Sequence, residues 1–367
     1  TYGGVMDTAF GNSGLAVVHP NPMTDFYAQD IAATADGGFV VVGFTKLPGD
    51  PNHNELSLCK FTIDGVPDIS FGGPPSSTGE GCVNDFGTFF AKHAFDNLGA
   101  GRSRLAAVAA RPDGSFVIAT TIWNSDIPNG NNDISAVVWQ VTASGQIDDF
   151  FGPFGNDGHS DTFNGEQAHD IAVAADGKIA LVTSQDNGGG DVDGFVRYLA
   201  SDGSSQLWFR LIHPDQGSMR DVLTSVAVRG TEIVAAGSAS LPQPNGEIDA
   251  GLFVRLRALD GTSMPTPFTD ANGIFIVCPT CNAQPAADVA VMPNGAVMLT
   301  GTQTEIVNDT TQQRVYAMRL TSLFNFDPSF ADAGVSTLSF DAFGGTPGDS
   351  GVRIVPVKGK PVIIGQH

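Results

Sequence analysis

The chain has 367 residues, of which 39 are acidic and 18 are basic, so its net charge at pH 7 is −21. This excess of carboxylates disfavours nucleic acid and anionic membrane surfaces as partners, because phosphate binding requires clustered Lys and Arg. The 45 glycines and 22 prolines disfavour long helices and favour short strands joined by turns. Since no apolar run reaches about 18 residues, the sequence predicts no membrane insertion.

The first predicted element is a β-hairpin at residues 30–43, which read DIAATADGGFVVVG. The Asp-Gly pair supplies the positive φ that a tight hairpin turn requires. The flanking runs are apolar on both faces, as in strands that are buried on two sides. The same pattern recurs five times along the chain, with its turn glycine at Gly114, Gly177, Gly230, Gly295 and Gly359.

Further strands accompany each hairpin. An alternating strand follows it, first at Leu56–Ile63, and a short strand precedes it, first at Leu15–His19. The repeating unit therefore has four strands, which we name a, b, c and d in chain order. A link between strand d and the next strand a carries Asp and Phe, as in PDISFG at Pro67–Gly72. We expect the Asp to cap a turn and the Phe to fill the space between neighbouring sheets; the fourth link, Ser201–Phe209, lacks this signature.

Four-stranded repeats at this spacing predict an all-β fold, a six-bladed β-propeller of antiparallel blades in one domain, with seven blades as the less favoured count. The domain spans residues 1–367, and residues 1–6 are expected to supply a closing segment for the last blade. The predicted blades cover residues 12–66, 83–145, 158–202, 206–260, 273–322 and 334–367.

The paired signatures, D-x-S-F-G followed by D-x-A-x-x-x-D-G, resemble the bacterial delta-60 repeat family of propeller-like proteins. The resemblance covers essentially the whole chain, apart from the link missing in the fourth unit. It implies a propeller and an extracytoplasmic location, whether secreted, periplasmic or at the cell surface. It transfers no catalytic residue. Scarce lysine and an acidic surface are also typical of exported proteins.

The four cysteines predict two disulfides. Cys278 and Cys281 form a C-P-T-C motif, for which a local disulfide is preferred over a redox or zinc half-site. Cys59 and Cys82 are then expected to pair, although four cysteines allow three connectivities.

Loops of variable length are predicted on one face of the propeller, opposite the regular turns and links. A regular scaffold with variable loops on one face favours recognition at that face. We therefore expect ligand contacts from Trp123, Asp186 and Asp191. Residues 186–194 read DNGGGDVDG, an acidic and glycine-rich composition that suggests calcium but lacks the EF-hand spacing, and an ordinary exposed turn is the alternative.

A second candidate site consists of residues at the ends of the a strands, which we expect to ring the central channel. His19, His93, His213 and Asp341 could together bind a transition metal. Asn164 and Cys278 end two further a strands, and a disulfide at Cys278 would remove it as a ligand. The alternative is that these side chains meet water or cap strand ends. Four aspartates near strand b are interpreted as turn caps, at Asp30, Asp170, Asp221 and Asp288.

Three functions fit these observations. The leading hypothesis is a non-enzymatic exported binding module that recognises a protein partner, a cell-surface component or a glycan through the variable loops. The first alternative is a metal-assisted hydrolase or lactonase-like enzyme that uses His19, His93 or His213 at the channel mouth. The second alternative is a structural subunit of a surface assembly. The only cofactor considered is a divalent metal, either calcium or a transition metal.

Overall fold

A computed structural model of the chain describes most of its residues. The described ranges are 7–18, 26–47, 50–72, 81–83, 106–124, 133–153, 158–160, 163–213, 220–243, 246–265, 274–277, 283–307, 310–331, 334–338, 350–357 and 360–366. Within these ranges the chain forms β-strands and turns. In that part of the chain, no helix is both long and apolar enough to cross a membrane.

Twenty-two strands follow one another along the described residues. In chain order they are β1 Phe26–Ala33, β2 Phe39–Leu47, β3 Asp50–Phe61, β4 Cys82–Val83, β5 Ala106–Ala110, β6 Phe116–Asn124, β7 Asp133–Val141, β8 Phe163–Asn164, β9 Glu166–Val173, β10 Ile179–Gly188, β11 Asp191–Leu199, β12 Gln206–Ile212, β13 Asp221–Arg229, β14 Glu232–Gln243, β15 Gly246–Arg257, β16 Ile274–Val277, β17 Ala283–Val291, β18 Val297–Val307, β19 Thr310–Leu320, β20 Val335–Leu338, β21 Ser350–Val357 and β22 Lys360–Gln366.

The strands form five four-stranded antiparallel sheets of the β-propeller type, which we call blades one to five. Each blade contains four consecutive strands in sequence order, from β1–β4 in blade one to β17–β20 in blade five. The sixth hairpin, β21 and β22, forms a two-stranded sheet. The predicted counts of six and seven blades are therefore wrong, because β22 has no third strand beside it among the described residues.

The short fourth strand completes the preceding blade rather than opening the next. β16, for example, was expected to pair with the hairpin that follows it, but it pairs with β15, with Leu252 opposite Ile276. The link causes this difference because it reverses the chain directly after strand d. In blade one, a bridge between Phe61 and Pro67 begins the reversal, and the N–H of Lys60 then donates to the carbonyl of Gly81 at 3.0 Å.

The links have the predicted structure in the described residues. The Asp68 carboxylate accepts hydrogen bonds from the N–H of Ser70 at 3.1 Å and from its hydroxyl at 2.6 Å. The ring of Phe71 is 2 % exposed and packs edge-on against Phe116 of blade two, with centroids 5.9 Å apart. The Asp therefore caps a turn, and the Phe fills the space between blades one and two.

The chain divides into two compact units. The first comprises residues 1–173 and 200–205, and the second comprises residues 174–199 and 206–367. Each unit has apolar clusters of its own. In the first unit, Val42, Phe116 and Trp139 belong to one such cluster. In the second, Phe253 and Phe324 belong to another.

Buried carboxylates join the b strands of neighbouring blades. In the first unit, Asp30 accepts a hydrogen bond from the N–H of Val108 at 2.9 Å. In the second, Asp288 accepts from the N–H of Ile354 at 2.7 Å and from the hydroxyl of Ser225 at 2.6 Å. A buried carboxylate requires such donors. The interpretation of Asp30 and Asp288 as turn caps is therefore wrong: they hold strands of adjacent sheets together.

One of the two predicted disulfides lies in the described residues and is confirmed. Cys59 of β3 and Cys82 of β4 stand opposite each other in the register of blade one, and their sulfur atoms are bonded. Both are fully buried. Cys278 and Cys281 lie outside the described residues, so their pairing stays a prediction.

Candidate functional site

The variable loops on the predicted recognition face include long β-hairpins. Strands c and d continue past the body of the sheet and pair almost to their turns. In blade four the pairing reaches Gln243 opposite Gly246, and in blade five it reaches Val307 opposite Thr310. These segments were expected to be loops, but backbone hydrogen bonds make them extensions of the sheet.

The hairpin of β10 and β11 contains the predicted calcium loop. Its apex consists of Gly188, Gly189 and Gly190, whose φ angles are 87°, 70° and 93°. A Cβ added at any of the three would meet nothing within 4 Å, so the backbone conformation and not crowding favours glycine there. The Asp186 carboxylate accepts from the N–H of Gly188 at 2.8 Å and faces solvent.

An asparagine side chain holds two aspartates of this hairpin together. The Nδ2 of Asn187 donates to Oδ2 of Asp193 at 2.8 Å and lies 3.4 Å from Oδ2 of Asp191. The amide thus occupies the space between carboxylates that a cation would use. Within the described residues, no group of three His, Cys, Asp or Glu side chains is arranged to hold a metal ion. Calcium binding by Asp186 and Asp191 stays a prediction.

A histidine lies between two carboxylates at the base of this hairpin. His213 directly follows β12, and its Nδ1 is 3.1 Å from Oδ1 of Asp193 and 3.5 Å from Oδ2 of Asp221. We call these three residues the His213 cluster. All three belong to the second unit.

Burial differs sharply within the His213 cluster. The side chain of Asp221 is fully buried, that of Asp193 is 18 % exposed and that of His213 is 28 % exposed. Nδ1 is the ring nitrogen that lies within ion-pair distance of both carboxylates, and Nε2 is the second polar atom of the ring. The cluster therefore offers an incoming ligand a part-exposed imidazole and a part-exposed carboxylate.

Strand register explains why Asp221 joins this cluster. Asp221 was grouped with Asp30 as one copy of a repeated position. The register contradicts that grouping, because Ser225 pairs with Ala236 as Asp30 pairs with Val42. Asp221 is the first residue of β13, four positions earlier, where the bridge between Val192 and Arg220 brings β13 beside β11.

Comparisons with known proteins give fold likeness only. The chain matches no protein-family model and no curated protein. It is similar to the structure of a neuraminidase-like protein from A/bat/Guatemala/164/2009, with a TM-score of 0.42 and 8 % identity over 85 % of this chain and 74 % of that chain. It is also similar to the polysaccharide lyase Uly1, with a TM-score of 0.44 and 11 % identity over 98 % of this chain and 81 % of that one. At these scores no activity or ligand is transferred.

The other predicted site residues are distributed as follows. Trp123 lies on β6 opposite Ile134. His19, His93 and Asp341 lie outside the described residues, as does Cys278, so the four-residue metal site stays a prediction.

The order of strands in the sheets differs from the order that this metal site assumes. In blade three the sheet order is β12-β11-β10-β9, so His213, which follows β12, lies at the edge opposite strand b. In the second unit the b strands β13, β17 and β21 contact one another from blade to blade, and β17 also contacts β14 and β15. Asn164, which ends β8, accepts a hydrogen bond from the hydroxyl of Ser135 at 3.0 Å.

Sequence reasoning identified His213 but missed both of its partners. Asp193 follows Asp191 at the spacing of two that places side chains on one face of a strand, and this signal was available. The approach of Asp221 depends on contacts between blades, for which the sequence has no local signal.

Proposed function

We propose that the protein is an exported, non-enzymatic recognition module that binds a glycan at the His213 cluster and the adjoining β10–β11 hairpin. The observation that carries the proposal is the position of His213 between Asp193 and Asp221 beneath a protruding, glycine-tipped hairpin. The buried disulfide Cys59–Cys82 supports export, since such bonds persist in oxidising compartments.

The chemistry of the site favours a ligand rich in hydrogen-bond donors. Carboxylate oxygens only accept hydrogen bonds, and adjacent hydroxyls of a sugar can donate to both oxygens of one group. Asp186 and Asp191 add further acceptors around the same hairpin. A chain of net charge −21 repels uronates and sulfated sugars at long range. The expected ligand is therefore a neutral or amino sugar.

Titration calorimetry with three hexasaccharides tests this proposal: a cello-oligosaccharide, a chitosan oligosaccharide and an oligogalacturonate. We expect saturable binding of a neutral or aminated probe and none of the anionic one. Asp193→Asn should weaken that binding about tenfold or more, since hydrogen bonds to charged groups contribute about 1.5–3 kcal/mol. The matched control is Asp64→Asn, an exposed aspartate of the first unit. The proposal is wrong if neither the cello-oligosaccharide nor the chitosan oligosaccharide binds. It is also wrong if Asp193→Asn and Asp64→Asn both bind like the wild type.

A hydrolase is the second candidate function, favoured by the same geometry. An imidazole oriented by a carboxylate is the arrangement of a general base. A reducing-end assay on the calorimetry samples separates the two functions. New reducing ends that form with the wild type, but not with His213→Gln, would replace the binding proposal with an enzymatic one.

A further inference from the structure

A cavity of about 410 Å³ lies in the second unit, where the b–c turns of blades three and four approach each other. This volume is within the usual range for ligand pockets. The cavity is at the opposite end of β11 from the His213 cluster: Tyr198 in its wall is five residues, or about 17 Å of strand rise, from Asp193. Its walls include Ala175, Asp176, Lys178, Tyr198, Gly230 and Ala258.

Arginine side chains fill the equivalent position at two other places in this chain. In the first unit, the guanidinium of Arg111 lies 6.0 Å from the ring centroid of Phe151 and donates to the carbonyl of Ser201. In the second unit, the guanidinium of Arg229 lies 4.1 Å from the ring centroid of Phe324. Both arginines are the last residue before a b–c turn.

The carbonyls that receive Arg229 have counterparts in the cavity wall. Arg229 donates to the carbonyls of Gly295 and Ser322, each at 2.8 Å. Gly295 is the turn glycine of the next blade, as Gly230 is for blade four. Ser322 is the first residue inside the turn after strand d, and Ala258 is the corresponding residue of blade four.

The arginine itself is replaced in blade three. Arg111 opens its turn by donating its N–H to Ser115 at 2.8 Å, and Ala174 does the same to Lys178 at 2.8 Å. Ala174 therefore occupies the position in blade three that Arg111 occupies in blade two. Its methyl side chain is too short to place any group where the guanidinium of Arg111 lies. The cavity is bordered by the two residues, Gly230 and Ala258, that an arginine at this position would reach.

The cavity also retains an aromatic wall. Tyr198 lines it and stacks on Trp208, with ring centroids 5.3 Å apart and planes 28° apart. Burial raises the pKa of Tyr198 to about 12, so the phenol is neutral at pH 7. The indole Nε1 of Trp208 donates to the carbonyl of Ala258 at 2.9 Å, which fixes the pair. The face of a neutral aromatic ring attracts a guanidinium.

We propose that this cavity binds the guanidinium group of an arginine side chain carried by a partner polypeptide. The partner's arginine would occupy the place that Arg111 and Arg229 occupy elsewhere, over an aromatic ring and against turn carbonyls. The net charge of −21 attracts a basic partner at long range. Lys178 opposes binding, because its ammonium pairs with the Asp176 carboxylate at the cavity wall. An incoming guanidinium would have to compete with it for that carboxylate. The inference does not depend on the glycan proposal, which concerns the other end of these strands.

Three capped tripeptides, Gly-X-Gly with arginine, lysine or norleucine at X, test the site by NMR titration of the whole chain. We expect the arginine peptide to bind at least about fivefold more tightly than the norleucine peptide, as a cation–π contact and new hydrogen bonds predict. Lys178→Gln should tighten binding of the arginine peptide about twofold to fivefold, because it frees the Asp176 carboxylate.

Ala174→Arg should abolish binding by placing the chain's own arginine in the cavity. The matched control is Ala143→Arg, which makes the same charge change at an exposed alanine of the first unit. Equal binding of the norleucine peptide, weaker binding by Lys178→Gln, or unchanged binding by a folded Ala174→Arg would each overturn the proposal. If Ala174→Arg does not fold, the comparison of peptides on the wild type and on Lys178→Gln still decides.

Discussion

Two spaces between sheets in this chain are filled in different ways. In the first unit, Phe151 comes from a link, is 2 % exposed and packs against Gly203, where a Cβ would stand 2.4 Å from the ring. In the second unit, Trp208 comes from strand β12 and packs against Gly261, where a Cβ would stand 2.7 Å from the indole. In both cases a glycine in the turn after strand d makes room for an aromatic ring. The ring comes from the link in the first case and from a strand in the second.

The difference in origin is accompanied by a difference in the side chains around the ring. Where the link supplies Phe151, the guanidinium of Arg111 lies 6.0 Å from the ring centroid. Where the link signature is missing, Trp208 takes over the contact with the turn, and Ala174 replaces the arginine. Departures from a repeat are therefore more informative about binding than the repeat itself, because the regular positions are required for packing.

The largest expected effect is that of Phe151→Ala, which should lower the free energy of unfolding by about 3–5 kcal/mol, as for other buried aromatics. Its neighbour Phe150 is the matched control, since that ring is 85 % exposed. Phe150→Ala should change stability by less than about 0.5 kcal/mol. Urea denaturation followed by circular dichroism measures both variants. Similar losses for the two would contradict the role assigned to the link.

Trp208→Ala should have a smaller effect, about 2 kcal/mol, because Trp208 is only half-buried and its space is already partly open. Trp208→Phe keeps a ring against Gly261 but removes the hydrogen bond to Ala258, so it should cost about 1 kcal/mol. The same urea experiment applies. If Trp208→Ala is as damaging as Phe151→Ala, the two spaces are sealed equally and the comparison fails.

Much of the fold could be predicted because its signals are local. An Asp-Gly turn between two long apolar runs is a strong local signal for a hairpin, and a side chain such as Asp68 caps its own link. The short strands were assigned to the wrong sheet, because each of them could pair with the strand before it or with the hairpin after it. β16 is apolar and only four residues long, so its pattern does not state which edge it joins. The turn formed by the link decides that choice, and it depends on backbone geometry.

The candidate site was less accessible to sequence reasoning. His213 was recognised from its residue type, but its partner Asp221 was assigned to a repeated scaffold position that Ser225 occupies. The same β-bulge directly precedes Asp30 and Ser225, so the two blades share one register, and Asp221 lies four positions before the repeated site. Ala174 carried no functional signal either, since an absent side chain is visible only by comparison with Arg111 in a common structural frame.

The smallest expected effect concerns the acid stability of the link that holds Phe71. Burial raises the pKa of Asp68, but hydrogen bonds from Ser70 and an ion pair with Lys60 at 3.1 Å outweigh it, so the pKa lies below its ordinary value. The folded state therefore binds fewer protons at this group than the unfolded state. Its stabilisation is complete above about pH 4 and is lost as the pH falls below that value.

Asp68→Asn should accordingly be less stable than the wild type at pH 7, by less than about 1 kcal/mol, and the difference should shrink as the pH falls below about 4. Urea denaturation at steps of pH measures it. Ser70→Ala, which keeps the carboxylate but removes the donor hydroxyl, should give an intermediate curve. A difference that persists unchanged to pH 2 would show that the link depends on the shape of Asp68 and not on its charge. Low pH would then not selectively weaken the link that holds Phe71, and it would not distinguish the space filled by a link Phe from the space filled by Trp208.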